Sequence, residues 1–190
     1  AAPPASLIAL ARDWGIDVGD GFVVDASGMG RLIGADATAP VAASYPAHPI
    51  TERFQMLTAY PMSRPVAPVS GGVNGRTAVT FVESSPRSWS ETDFQTMLKE
   101  GKVELNEDKG DKPGPVSMAA AVSMAGTAAP APDAPPDAPK PETRVAVFGD
   151  SDFASNGVLG IQGNKDIFMN TVGWLSQQEN LISIRPKEAD

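Results

Sequence analysis

The strongest constraint on the fold lies in the stretch 144–188, RVAVFGDSDFASNGVLGIQGNKDIFMNTVGWLSQQENLISIRPKE. Arg144, Val145, Ala146, Val147 and Phe148 make a short run rich in β-branched and aromatic residues, stopped by Gly149, Asp150, Ser151 and Asp152. Such a run predicts a buried strand ending at a polar loop. From Gly163 and Asn164 onward the period changes. Ile167, Phe168, Thr171, Trp174 and Leu175 recur at helical spacing and predict a helix with one apolar face. Asn164 suits the N-cap, and Asp166 puts negative charge in the first turn, where the helix dipole favours it. Leu181, Ile182, Ser183 and Ile184 predict another short strand, stopped by Arg185 and Pro186. Strand, polar loop, helix and strand form one unit of an α/β fold.

Upstream, Ser6 can cap a helix over 6–14, with Leu7, Leu10 and Trp14 on one face and Gly15 ending it. Strands are predicted at 22–25 and 77–83, and a shorter one at 40–44. Around Pro61, Pro65 and Pro68 the proline density suits an edge or wandering segment rather than a central strand. The run 83–91 reads as a polar loop around Trp89, and 91–99 as a short helix. The run 116–124 is made of small residues; its length and the preceding proline favour a buried strand, although alanine this dense equally suits a helix. The strands at Phe22, Thr77, Val116 and Val145 are expected in one mainly parallel sheet. Apolar runs without strict alternation suit strands covered on both sides. Residues 128–141 hold six prolines among Ala and Asp. This is the heart of a Pro-rich insertion at 127–142, which cannot bury enough apolar surface to fold and is expected to be extended and mobile.

At 190 residues, 42% of them hydrophobic, the chain suits one domain with a sizeable core. A net charge of −8 sets nucleic-acid binding aside. There is no cysteine, which removes disulfides, thiolate metal sites and a Cys nucleophile. No signal peptide is visible, and no apolar run approaches the ~20 residues that span a bilayer. The chain starts at Ala1, as a mature or excised segment would.

The best candidate for chemistry is Gly149, Asp150, Ser151 and Asp152, because ligands of open α/β sheets sit at the carboxyl ends of strands. The aspartates suit a ligand or partner, and Ser151 a nucleophile. The plainer reading is that the aspartates, with Asn156, cap backbone amides of the following turn. The tetrapeptide resembles the Gly-Asp-Ser block of GDSL hydrolases, which need a base His late in the chain. Here the sole histidine is His48, upstream and followed by Pro49. One His with scattered carboxylates gives no zinc spacing either, so no metal is assigned. Gly28 and Gly30 do not complete a dinucleotide fingerprint, since Ile33 stands at the third glycine position, and no cofactor is assigned. Trp89, flanked by Ser88, Ser90 and Glu91, suits either a recognition loop or a core plug beside a helix cap. The segment from Asp25 to Arg31 ends another strand and is a candidate to face the same crevice, with Arg31 able to meet an anion.

These blocks also carry a family resemblance. VFGDSDFASN at 147–156, GNKDIFMNTVGWL at 163–175 and LISIRPKE at 181–188 resemble the end of the extracytoplasmic domain of the GldG-type auxiliary component of ABC transporters, a group linked to gliding motility. Trp14, Gly15 and Ile16 before a strand with Val24 and Asp25 agree in order, as do His48 to Thr51 and Ser88 to Thr92. The resemblance implies a three-layer α/β domain, flavodoxin-like or class I glutamine amidotransferase-like, with a mostly parallel sheet and no established catalysis. It implies a fragment (1–190) of a larger domain, without the usual first strand and helix. It also implies a periplasmic position in a membrane-anchored protein, partnered by permease, ATPase or other membrane subunits, with a homo-oligomer as a further arrangement. Glutamine amidotransferases use a Cys nucleophile and a downstream His-x-Glu; this chain has neither, so that chemistry is absent. The reading is a non-catalytic binding or assembly domain. The alternatives are a small-molecule-binding or hydrolytic enzyme built on the 149–152 loop, and a plain spacer.

Replacing 128–141 by a short turn is expected to leave the thermal unfolding midpoint nearly unchanged, because halving a loop alters closure entropy by only about 0.6 kcal/mol. Loss of folding would mark the segment as structural.

Overall fold

The computed structural model describes residues 3–126 and 141–178. The expected strand at 181–184 and nearly all of the Pro-rich insertion lie outside these residues. Helix α1 (Ala5–Asp13) leads into strands β1 (Ile16–Val18) and β2 (Phe22–Asp25). Short strands β3 (Val41–Ala42), β4 (Thr58–Ala59) and β5 (Val66–Pro68) follow, then β6 (Val79–Glu83) and β7 (Ser88–Glu91). Helix α2 (Phe94–Glu100), strands β8 (Lys112–Pro113), β9 (Ser117–Ala125) and β10 (Glu142–Phe148), and helix α3 (Asn164–Leu175) complete the described chain.

Every strand pairing among the described residues is antiparallel. The sheets are small: β10-β9-β6, β2-β7-β8, β1-β5 and β3-β4. This overturns the expected mostly parallel, flavodoxin-like or amidotransferase-like sheet. It also separates Phe22, in the β2-β7-β8 sheet, from the strands at Val79, Ser117 and Val145. The inference from burial was right about coverage and wrong about direction. Ala119, Ala120 and Ala121 are fully buried because both faces of β9 are covered. On one face Ala119 and Ala121 meet Phe81, Tyr60, Phe153, Ile167 and Trp174. On the other, Ala120 and Val122 meet Ala11, Ile16, Val66 and Ala78. Double coverage is usual for parallel sheets, but helices and small sheets stacked on an antiparallel core produce it equally. Direction is set by the connection. The amide of Gly126 donates to the carbonyl of Pro141 at 2.7 Å, so the insertion starts and ends at one end of a hairpin and no crossover exists.

Local expectations were corrected in the same way. The N-cap of α1 is Pro4 rather than Ser6, and Leu7 and Leu10 point to solvent, leaving Ala11 as the buried residue of the helix. Residues 88–91 form a strand rather than a loop, because Trp89 enters a cluster with Val24, Phe94 and Met97. Asp93 caps α2 by accepting from the amide of Thr96, and Gly101 ends it at φ 66°, a conformation that favours glycine. In α3 the buried face is Asn164, Ile167, Thr171, Gly173 and Trp174, whereas Phe168 and Leu175 lie one helical step round and are exposed.

Asn164 is not the cap of α3; Gly163 is. The Asn164 side chain does something the sequence pattern hid. It is fully buried, and its Oδ1 accepts from the amide of Ala59 at 2.8 Å. Its Nδ2 donates to the carbonyls of Ala59 (3.0 Å), Phe153 (3.3 Å) and Val158 (3.2 Å). One amide thereby ties β4 and the loop after β10 to the start of α3. Asn164→Ala is expected to cost about 3 kcal/mol in urea unfolding, because buried backbone groups lose their partner. A loss below about 1 kcal/mol would mean that these groups find other partners.

Candidate functional site

The loop that follows β10 is positioned from three sides. Gly149 ends the strand where the chain passes Ser63 and Arg64. Its amide donates to Met118 and its carbonyl accepts from Arg64, both at 2.9 Å. A Cβ at this position would collide with the carbonyl of Arg64 and lie 2.8 Å from the Ser63 hydroxyl, so glycine is required by close approach. Phe153 plugs the loop into the core, stacked on Phe148 at 4.4 Å and tilted against Tyr60 at 5.5 Å. Asn164 holds the carbonyls of Phe153 and Val158 from below.

Within this frame Asp150 is buried, and its carboxylate accepts from the amides of Asp152 at 2.7 Å and Phe153 at 3.0 Å. These two bonds hold the first amides of the 3-10 turn Asp152–Ala154, whose N-cap position is Ser151. Burial pushes its pKa up to about 6 against the pull of those two amides, and the neighbouring Asp152 carboxylate adds to the rise. Tyr60 lies close enough to feel this charge. Its hydroxyl is wholly buried beside the Thr58 hydroxyl, and burial holds its pKa well above the ordinary phenol range. Ser151, Asp152 and Asn156 are exposed at the tip.

The other sequence candidates are elsewhere. Trp89 is buried, its Nε1 donating to Glu91 Oε2 at 3.1 Å, while Glu91 Oε1 accepts from the amide of Asp93 at 2.8 Å. It is a core residue beside the start of α2. Arg31 is exposed on the 3-10 turn Met29–Ile33 after β2. No hydrogen bond, ion pair or ring contact among the described residues joins Arg31 or Trp89 to the 150–156 loop. Asp25 closes β2 and holds its own turn, accepting from the amide of Ser27 at 2.8 Å and the hydroxyl of Ser85 at 2.7 Å, with Oδ2 buried and unpartnered.

His48 is held as a packing residue. Its ring lies 5.5 Å from Phe81 and 5.0 Å from Trp174, and Nδ1 accepts from the amide of Ile50 at 3.1 Å. Burial, reinforced by the charge of Arg144, lowers its pKa to about 4. Arg144 spans the end of α3, donating to the carbonyl of Trp174 at 2.6 Å while its guanidinium stacks over that ring. The sequence pattern also missed Asp111. Buried beneath the charged loop 101–111, it accepts from the amide and hydroxyl of Thr92 and from the amide of Asn106. Carboxylates serving backbone amides leave no periodic mark in a sequence.

Fold and site together define a mixed α/β domain with small antiparallel sheets and an acidic, self-capped loop at the end of its longest hairpin. Residues 4–175 match the family described as an ABC-type uncharacterized transport system, and the chain belongs to that family as an auxiliary component of such a system. No curated protein and no solved structure matches it. No helix among the described residues is long and apolar enough to cross a membrane.

The raised pKa of Asp150 has a defined sign. Between its unfolded value near 3.8 and its folded value of about 6, the folded state binds more protons, so this group lowers stability as pH rises through that window. His48 acts oppositely, lowering stability as pH falls from 6.5 through about 4. Comparison with Asp150→Asn isolates the first effect. The stability difference between wild type and variant, from urea unfolding, is expected to move in the variant's favour by roughly 2 kcal/mol as pH rises across the window and then to level off. A difference independent of pH would mean that Asp150 titrates normally.

Proposed function

We propose that this chain is a non-catalytic, extracytoplasmic binding or assembly domain of a GldG-type auxiliary protein of an ABC transport system, of the kind linked to gliding motility. The exposed tip Ser151, Asp152 and Asn156, set by the capping carboxylate of Asp150, is its contact loop, and Arg31 offers a separate polar contact. Trp89 supports the second sheet from within. The partners are the permease and ATPase subunits or other membrane subunits of the same system. The family supports the transport-system part of this reading.

The observation that supports the non-catalytic part is the engagement of Asp150 and His48, the groups that a Ser151 nucleophile would call on. Asp150 is committed to two amides, and the His48 ring is packed between Phe81 and Trp174 with Nδ1 accepting from Ile50. A serine nucleophile needs a base at roughly 2.6–3.2 Å, and among the described residues the Ser151 hydroxyl has no such partner. A loop fixed from beneath and exposed at its tip suits recognition, since little conformational entropy is lost on binding.

The triple change Ser151→Ala, Asp152→Ala and Asn156→Ala is expected to leave the unfolding midpoint within a few degrees of wild type. It is also expected to abolish co-purification with the membrane subunits of the cognate transporter. Retained co-purification would remove the loop from the interface. Ser151-dependent cleavage of ester substrates by purified protein would replace this reading with the hydrolase alternative.

A further inference from the structure

Two asparagines in this chain precede a glycine, Asn74 before Gly75 and Asn156 before Gly157. In such a pair the glycine amide nitrogen can attack the asparagine side-chain carbonyl, since no Cβ shields it. The sequence makes the two sites equivalent, and the fold separates them.

Asn74 is clamped. With Gly75 it forms the centre of a two-residue hairpin turn, closed by the Val73 amide on the Arg76 carbonyl at 3.0 Å and the Arg76 amide on the Val73 carbonyl at 2.9 Å. Both central residues have positive φ, 51° and 73°, as the tight hairpin turn requires. The Asn74 Nδ2 donates to Asp13 Oδ1 at 3.1 Å. Asp13 closes α1 and is itself held by Arg76, which donates to its carbonyl at 2.7 Å and to its Oδ2 at 3.1 Å. The side chain that would have to turn onto Gly75 is therefore fastened to α1.

Asn156 has none of these ties. Ser155, Asn156 and Gly157 are all exposed, and Asn156 lies outside the left-handed region. Among the described residues neither the Asn156 side chain nor the Gly157 amide makes a hydrogen bond. The turn around them is closed on a single atom, the Ser155 carbonyl, which accepts from Val158 at 3.1 Å and Leu159 at 2.8 Å. One peptide rotation releases both bonds. The loop is anchored on either side, by Phe153 in the aromatic layer and by the Val158 carbonyl on Asn164, so this opening leaves the core intact.

We propose that Asn156 is a site of spontaneous deamidation in the folded protein, with water as the only co-reactant, and that the clamp on Asp13 protects Asn74 from the same reaction. Solvent hydroxide takes the proton of the Gly157 amide, and its nitrogen attacks Cγ of Asn156. The Cγ–Nδ2 bond breaks, and the nitrogen leaves as ammonia after taking a proton from water. Water then opens the five-membered succinimide at either carbonyl, and nothing is oxidised or reduced. One opening leaves aspartate. The other leaves isoaspartate, whose main chain runs through the former side chain and is one carbon longer. Either product adds a negative charge to the loop that carries Asp152. The proposal is independent of the contact role given to this tip, because it concerns the isolated chain.

The test incubates the full chain in mildly alkaline buffer, folded and in urea, and follows both sites by peptide mass spectrometry with chromatographic separation of isoaspartate. In the folded chain Asn156 is expected to convert about tenfold faster than Asn74, which must first break a hydrogen bond to a charged acceptor. In urea the two rates are expected to converge. Asp13→Ala removes the acceptor and is expected to speed Asn74 about tenfold while Asn156 is unchanged. Gly157→Ala places a methyl in open space, 4.0 Å from the Ser155 hydroxyl, and is expected to slow Asn156 by hindering the attack. Circular dichroism checks that each variant folds; where one does not, the comparison of native folded and unfolded chain decides alone. The proposal is overturned if Asn156 in the folded chain is no faster than Asn74. It is equally overturned if the ratio persists in urea, since local sequence and not the fold then sets it. An Asn74 that stays slow in folded Asp13→Ala overturns the clamp.

Discussion

The layers of this domain close on the three alanines at the centre of β9. Ala119, Ala120 and Ala121 are buried at the centre of the three-stranded sheet, and their size lets large groups close in from both faces. On one side the aromatic set of Tyr60, Phe81, Phe148 and Phe153 packs with α3. On the other, α1 and the β1-β5 pair come down on Ala120 and Val122. Even the third neighbour is fastened here, since the Ser117 hydroxyl donates to the carbonyl of Val66 in β5. A larger residue in the alanine run would push one layer away, because interiors packed to crystal density have no room to absorb added methylenes.

The loop after β10 inherits its geometry from that packing. Phe153 belongs to the aromatic layer, Gly149 to the crossing with Arg64, and Asn164 to the start of α3. Asp150 then finds its two amides already in place. The tension of the site lies between burial, which opposes ionisation of Asp150, and the amides, which reward it. Burial wins, and the pKa of the carboxylate rises to about 6. A perturbed carboxylate often marks catalysis. Here its oxygens accept from the amides of Asp152 and Phe153, so its titration is coupled to the loop's own stability.

His48 shows the same logic from the opposite side. As the chain's sole histidine it is the natural suspect for a base, yet its ring is part of the wall between Phe81 and Trp174. The turn that carries it is fixed to α3, with Asn170 donating to the carbonyl of Ile50 at 3.1 Å. These contacts join the 49–51 turn to the aromatic layer.

The sequence alone determined which segments are strands or helices wherever local chemistry decides the matter. The run 144–148, the run 77–83, the small-residue run 116–124 and the helix from 164 to 175 were all legible from composition and period. So was the capping role of Asp150, because aspartate before a turn has one common use. Strand direction was not legible. It is set by where the ends of the Pro-rich insertion meet, through Gly126 and Pro141, and a disordered-looking composition says nothing about its end-to-end distance. Nor was it legible which apolar residues of α3 face inward, or that Asn164 bonds to Ala59 across the fold rather than capping its own helix. Those choices belong to the tertiary structure, since a side chain's partner far away in the chain is selected by packing and leaves no local pattern to read.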